Sequence, residues 1–379
     1  MRLAWIEVRD FRNYREATLE VPAGLTAVVG PNGQGKTNLL EAMYYLCGLR
    51  SPRVRGDLPL VRVGAEAAFV RGEAETAGGR LLIELEIRPS GRSRALVNRS
   101  PVRRRRDLRR HVRAVFSGPD DLHVVEGDPE ERRRFMDEGV AALWPLREGA
   151  ATAYERALRQ RNRLLKDWEG SVGGHGGMGG EPLPGMAVLP GPAGLGAWDE
   201  ELVVHGTALT TGREDAVGAV RGPAALEFRR VSGDGLSVEY RPSVERAEGE
   251  GLEDAFRRRL AERRTDELTR RTSLVGPHRD ELAMSVEGLA ARGFASHGEA
   301  WAAAVCLRLA LATAVSEETR DPPMLLLDDP FSGLDPERRL RLSAGVGGRG
   351  QVLLAVPDQA HVPPGAAVWH VKEGAVVPE

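Results

Sequence analysis

Apolar residues alternate loosely at the start of the chain (Leu3, Trp5 or Ile6, Val8) and predict a strand. Residues 17–21 predict a second, and the continuous apolar run 25–29 a short buried third. A glycine-rich turn follows, after which Leu39, Leu40, Met43 and Leu46 share one face of a helix over 38–49. Residues 67–75, 80–88 and 94–97 predict meandering strands, interrupted at Gly78-Gly79 and Pro89-Ser90-Gly91. Helical periodicity covers 130–168, with a break at Pro145, and resumes over 198–220. Between them, residues 170–197 are rich in Gly and Pro, with few charges and little periodicity, so a flexible insert at the tip of a short antiparallel arm is expected. Strands near 225–231 and 236–241 and a charged helix at 251–271 come next. The tail predicts a strand at 282–287, an alanine-rich helix at 298–316, an apolar strand at 324–328, a helix at 336–345, and strands at 351–356 and 367–371. Both ends thus have α/β character around an inserted middle, and the ends must close together to form one domain.

With 379 residues, 41% hydrophobic, the chain can bury two to three core-sized units. Its formal charge of −2 means that any surface for a polyanion must be local. Cys47 and Cys306 lie far apart, which argues against a disulfide scaffold or a cysteine-built zinc site. No uninterrupted run approaches the ~18 apolar residues of a membrane span. The charged start, MRLAWIEVRDF, lacks the apolar core of a signal peptide, so a soluble cytoplasmic protein is expected.

Chemistry concentrates at the two ends. Gly30, Pro31, Asn32, Gly33, Gln34, Gly35, Lys36 and Thr37 read GPNGQGKT, after an apolar strand and before a helix. In that setting backbone N–H groups cradle phosphates, a lysine reaches the β/γ oxygens and a hydroxyl coordinates Mg²⁺. Only three of the 53 Lys and Arg residues are lysines, and Lys36 is one of them. Near the other end, MLLLDD over 324–329 places Asp328 and Asp329 at the end of a buried strand. Asp328 is expected to hold Mg²⁺ and Asp329 to polarise the attacking water. A bound nucleoside triphosphate with Mg²⁺ is the ligand these segments imply.

ASHGE at 295–299 opens the alanine-rich helix, and FSGLD at 331–335 follows the carboxylates. That order resembles an ABC-type ATPase head. FRNY at 11–14, NGQGKTNLLEA at 32–42, FSGPDDL at 116–122, RRRFMD at 132–137, RNRLLK at 161–166, WDEEL at 198–202 and GPHRDEL at 276–282 narrow the resemblance to the RecF family. These are SMC-like ATPases of recombinational repair that act with RecO and RecR to load RecA at gapped DNA. The resemblance implies an ABC-ATPase-like α/β lobe I, residues 1–115 plus 272–379, and an inserted, mainly helical lobe II, residues 116–271, bearing a short arm. It also implies ATP-driven homodimerisation, slow DNA-dependent hydrolysis and residence at the nucleoid. Carried across, Ser296, Gly298 and Glu299 are the signature acting on a nucleotide held by the second copy, and Asp335 is the D-loop residue. Arg12 and Asn13 match N-terminal nucleotide contacts. After the signature, Trp301 replaces a polar run and is expected to be a core residue. The strand at 351–356 ends in AVPD, where transporter ATPases carry a histidine; that difference and the incomplete signature argue against a transporter subunit. The AVPD and Trp301 departures leave open a non-hydrolysing ATP-binding scaffold.

Residues 92–113 contain ten arginines and one acid, Asp107. Such a local field suits phosphate contacts, and Arg103, Arg104, Arg105, Arg106, Arg109 and Arg110 are the expected DNA residues.

Overall fold

The computed structural model describes residues 1–90, 92–169 and 191–379. A hairpin of β1 (Arg2–Phe11) and β2 (Tyr14–Glu20) leads to β3 (Leu25–Val29) and helix α1 (Lys36–Gly48). Strands β4 (Ala68–Thr76), β5 (Gly79–Ile87), β6 (Arg94–Val97) and β7 (Ser100–Pro101) extend the hairpin into an antiparallel sheet. After α2 (Arg105–Arg109) and β8 (Ala114–Ser117) come α3 (Leu122–Glu126), α4 (Pro129–Leu143), α5 (Gly149–Asp167) and α6 (Leu195–Ser232). Next are β9 (Leu236–Arg241), α7 (Leu252–Arg270), β10 (Glu281–Val286), β11 (Leu289–Ala290), α8 (Ala291–Phe294) and α9 (His297–Thr319). The chain finishes with β12 (Met324–Asp328), α10 (Pro336–Val346), β13 (Val352–Val356), β14 (Ala367–Lys372) and β15 (Ala375–Pro378).

The central sheet has the order β15-β14-β3-β13-β12-β8, parallel except for the final β14–β15 hairpin. A parallel sheet needs both faces covered, and its strands are accordingly apolar on both. On one face Val28, Leu326 and Leu353 meet Leu39, Leu40, Met43 and Leu46 of α1 and, behind them, the antiparallel sheet. On the other, Val29, Leu327 and Leu354 meet α9, α4 and the second half of α6. The period-two alternation along each strand divides one sheet between two cores. Its consequence for chemistry is register: Val29 pairs with Val356 and Asp328 with Ala355, so the loop after β3 and the carboxylates after β12 emerge at the same sheet end.

The strand expected at 225–231 does not exist. Helix α6 runs unbroken to Ser232, with Pro223 inside it. Ala224, Phe228 and Val231 have helical spacing and are fully buried against the α9 core; that burial outweighs the one backbone bond Pro223 removes. The helical arm forms: Leu165 clusters with Leu195, Arg161 bonds Asp199, and Tyr154 lies beside Gly206, so α5 and the first half of α6 run antiparallel. The insert expected at 170–197 falls largely outside the described residues; 191–197 form a turn and the start of α6. Among the described residues one helix, α9, is long and apolar enough to cross a membrane; most of it is buried in the core just described.

Candidate nucleotide site

The loop after β3 wraps around its own lysine. Lys36 Nζ donates to the carbonyl oxygens of Gly30 (2.6 Å) and Pro31 (3.0 Å). Gly35 precedes α1 with φ 121°, and an added Cβ there would lie 2.7 Å from Asn13 Nδ2. Only glycine accepts that backbone so close to a neighbour. From the β1–β2 turn, Tyr14 donates to Gly35 O (3.0 Å) and Asn13 to Gln34 O (3.0 Å), fixing the loop from outside.

Thr37, on the first turn of α1, donates its hydroxyl to the Asp328 carboxylate, 2.8 Å from each oxygen. The two groups that sequence reasoning assigned to one cation thus meet from opposite ends of the chain. Burial raises the Asp328 carboxyl above its usual range, opposed by the Thr37 bond. Burial also raises Asp329, opposed by Lys36, His361 and Arg339, and burial lowers the Lys36 ammonium. Asp329 sits at φ 48° with its N–H bound to Ala355 O (3.0 Å), a left-handed turn that aims it away from the strand. A hydroxyl and a carboxylate are hard oxygen donors, and they fit Mg²⁺, which keeps several waters and takes phosphate oxygens for the remainder. No cluster of three His, Cys, Asp or Glu side chains suited to a self-sufficient metal site occurs among the described residues.

The description of the RecF/RecN/SMC N-terminal domain matches residues 2–355. The DNA replication and repair protein RecF of Kineococcus radiotolerans is 41% identical, over 97% of this chain and 99% of that one. The chain belongs to the RecF family. A solved structure of the recombination mediator protein RecF-ATPrS in the RecFOR pathway superposes with TM-score 0.85 at 26% identity, covering 100% of this chain and 98% of the other. The Smc head bound to the C-winged helix domain of ScpA shares the fold, with TM-score 0.58 and 16% identity over 100% and 98% of the two chains. The α/β architecture is therefore the ABC-ATPase-like head common to RecF and SMC proteins.

The other expected residues of this RecF-family chain divide. Ser296 caps α9: its N–H and hydroxyl both donate to Glu299, whose N–H donates back to Ser296 Oγ. Asp335 caps α10, accepting from the N–H groups of Glu337 (3.0 Å) and Arg338 (2.9 Å). Arg338, which sequence reasoning missed, lies between them, 3.5 Å from Asp335 and 4.0 Å from Glu299, and its guanidinium passes 3.1 Å from where a Gly298 Cβ would stand. No hydrogen bond among the described residues joins this group to Lys36 or Thr37. Trp301 is a core residue, donating to Pro330 O at 2.8 Å.

Arg12 faces Glu41 rather than the loop: its guanidinium makes two bonds to that fully buried carboxylate (2.7 and 2.8 Å). Arg109 departs from the DNA role expected of it. It is buried, bonding Gly48 O and Glu148 across the end of α1, and is not on a surface open to DNA. Arg103, Arg104, Arg105 and Arg110 are exposed and Arg106 partly so. Arg103, Arg104 and Arg105 rim a cavity of about 180 Å³ together with Arg92 and Arg94, whereas Arg110 opens onto a separate one of about 590 Å³. His361 is a second missed residue. AVPD pointed to a strand end without an imidazole, but a short turn (Gln359–His361) returns one. Arg339 donates to its Nε2 (2.7 Å), so Nδ1–H donates to Asp358 (2.6 Å). The only sequence signal was a histidine five residues past the strand.

Proposed function

We propose that this chain is an ATP-driven DNA clamp of recombinational repair. Two copies close head to head on ATP and Mg²⁺, the closed pair holds gapped or junction DNA, and slow DNA-dependent hydrolysis releases it. In this reading it works with RecO and RecR, and through them helps load RecA at the nucleoid. The observation that carries the reading is the Thr37–Asp328 contact beside Lys36, made by segments at the two ends of the chain. The names of its relatives, DNA replication and repair protein, and of its structural neighbours, RecF with ATP, support the choice of nucleotide and process.

Residues 1–115 and 272–379 act as lobe I and 116–271 as lobe II. Lys36 neutralises phosphate charge once its ammonium leaves the loop carbonyls, and the N–H groups opening α1 take the phosphate oxygens. Thr37 and Asp328 would hold Mg²⁺, which supplies charge neutralisation on the phosphates. Asp329, made more basic by burial, orients a water and takes up its proton. Ser296, Gly298 and Glu299 act in trans: the start of α9 offers unpaired N–H groups and a positive dipole end to the γ-phosphate held by the second copy. Asp335 crosses the same interface.

Sedimentation without nucleotide, with ADP and with ATP tests this, using Asp329→Asn to prolong the ATP state. Doubling of mass with ATP alone, lost in Lys36→Met, is the expected result. An unchanged mass in all three conditions overturns the clamp and leaves a nucleotide-binding monomer.

A further inference from the structure

Helix α9 is almost wholly apolar. Between Glu299 near its start and Glu317 near its end it carries one charged residue, Arg308. At 1.5 Å per residue, Arg308 sits roughly 18 Å along the helix from the Ser296 cap. Its guanidinium stacks over Phe135 and bonds two carboxylates, Asp121 through Nε (3.0 Å) and Nη2 (2.6 Å), and Glu138 through Nη1 (2.8 Å). Glu138 in turn pairs with Arg50 (2.6 Å), just beyond the end of α1. Asp121 belongs to the turn after β8 and accepts from Gly118 N (3.1 Å). A chain of alternating charges, Asp121–Arg308–Glu138–Arg50, thus ties α9, α4, the turn after β8 and the helix that begins at the phosphate loop.

The position of this chain gives it more than a fastening role. Asp121, Arg308 and Glu138 line a cavity of about 320 Å³ that Thr37 and Asp328 also line. The side chains of Asp121, Arg308 and Glu138 are only 11–16% exposed, so their charges are weakly screened. A cation and phosphates entering at Thr37 and Asp328 change the field across that cavity, and Arg308 is the element of α9 that feels it.

We propose that Arg308 is a positioning residue: the Asp121–Arg308–Glu138 chain couples occupancy of the Thr37–Asp328 site to the setting of α9, and so to the Ser296–Glu299 cap. The proposal rests on the nucleotide reading above. Asp121→Asn tests it with little change in volume. Asn can still accept from Gly118, but then turns its NH₂ toward the guanidinium and breaks the chain at one link while Glu138 still neutralises Arg308.

The readout is amide hydrogen exchange over residues 297–304, measured on the full chain at concentrations where it is monomeric, with Mg²⁺ and ATP, Mg²⁺ and ADP, or no nucleotide. In the wild type, ATP is expected to change exchange there by at least about fivefold, the lower end of ordinary coupling between sites. Asp121→Asn should keep ATP affinity within about twofold yet lose that response, and Glu138→Gln should weaken it. A purely structural link would shift exchange equally with and without nucleotide. Equal ATP responses in wild type and Asp121→Asn overturn the proposal, as does an ATP-saturated wild type with no change at 297–304. Failure of the wild type to bind ATP at all overturns the nucleotide reading instead, so the two failures are distinct.

Discussion

At the scale of single residues, Lys36 and Asp329 divide the work of one site. Removing the Lys36 ammonium deletes a charge-assisted contact to phosphate, and Lys36→Met should weaken ATP binding by about 10–100-fold in titration of a fluorescent ATP analogue. Asp329→Asn leaves Thr37, Asp328 and the loop intact, so binding should persist while phosphate release falls by about 10²–10⁴-fold. Loss of binding in Asp329→Asn would contradict its assignment as the water-orienting group. Gly35 has little freedom. At φ 121°, with Asn13 Nδ2 2.7 Å and Tyr14 OH 3.1 Å from a would-be Cβ, Gly35→Ala strains the backbone and pushes Asn13 off the loop. It should lower Tm and abolish nucleotide-induced stabilisation together. A buried partner such as Glu41 and a half-buried imidazole such as that of His361 carry no spacing rule, which is why sequence reading passed over them.

At the scale of elements, the helical arm meets the rest of the molecule at GPHRDEL. Asp280, almost fully buried, accepts from Arg213, Tyr240 OH and Ser243 N, joining α6, β9 and the loop after it to the start of β10. Beside it, His278 Nε2–H donates to Ser273 O, so its Nδ1 accepts from Tyr154 OH (2.7 Å), an arrangement open only to the neutral ring. Burial, helped by Arg279, lowers the His278 pKa from 6.5 to about 4. The unfolded chain therefore binds more protons than the native one between these values, and stability falls as pH drops through that window. The stability advantage of the wild type over His278→Gln should shrink by about 2 kcal/mol between about pH 7 and pH 5, read by denaturant unfolding. An advantage constant with pH would show that the ring takes up its proton as readily in the fold as in the unfolded chain. The arm was legible because its helices keep a clear 3.6 period. The extension of α6 through Pro223 was not, since only packing on α9 makes residues 224–231 helical.

At the scale of the whole molecule, a net charge of −2 conceals a segregated field. Among the described residues Arg103, Arg104 and Arg105 make no ion pair, although most acids of the chain are taken up in pairs elsewhere. If they contact phosphates, each substitution to Gln should reduce the salt slope of binding to a gapped duplex by about one unit, measured by anisotropy across a KCl series. Arg109→Gln should leave that slope unchanged and lower Tm, because Arg109 holds Gly48 and Glu148 inside the fold. A slope that drops for Arg109 and not for Arg103–Arg105 would reverse the assignment.

Local order along the chain was enough for the phosphate loop, the Asp328–Asp329 strand end and the α/β class, because each depends on side chains adjacent in sequence and on a period of two or 3.6. Those features need no knowledge of what packs against them. The meeting of Thr37 with Asp328, the pairing of Arg12 with buried Glu41, the burial of Arg109, and the Asp121–Arg308–Glu138–Arg50 chain depend on contacts between distant segments. Strand order and helix packing create those contacts, and no local pattern encodes a parallel sheet in which β3 and β12 flank β13. The short strand β8 shows the same dependence: AVFS is extended because β12 offers it a buried edge.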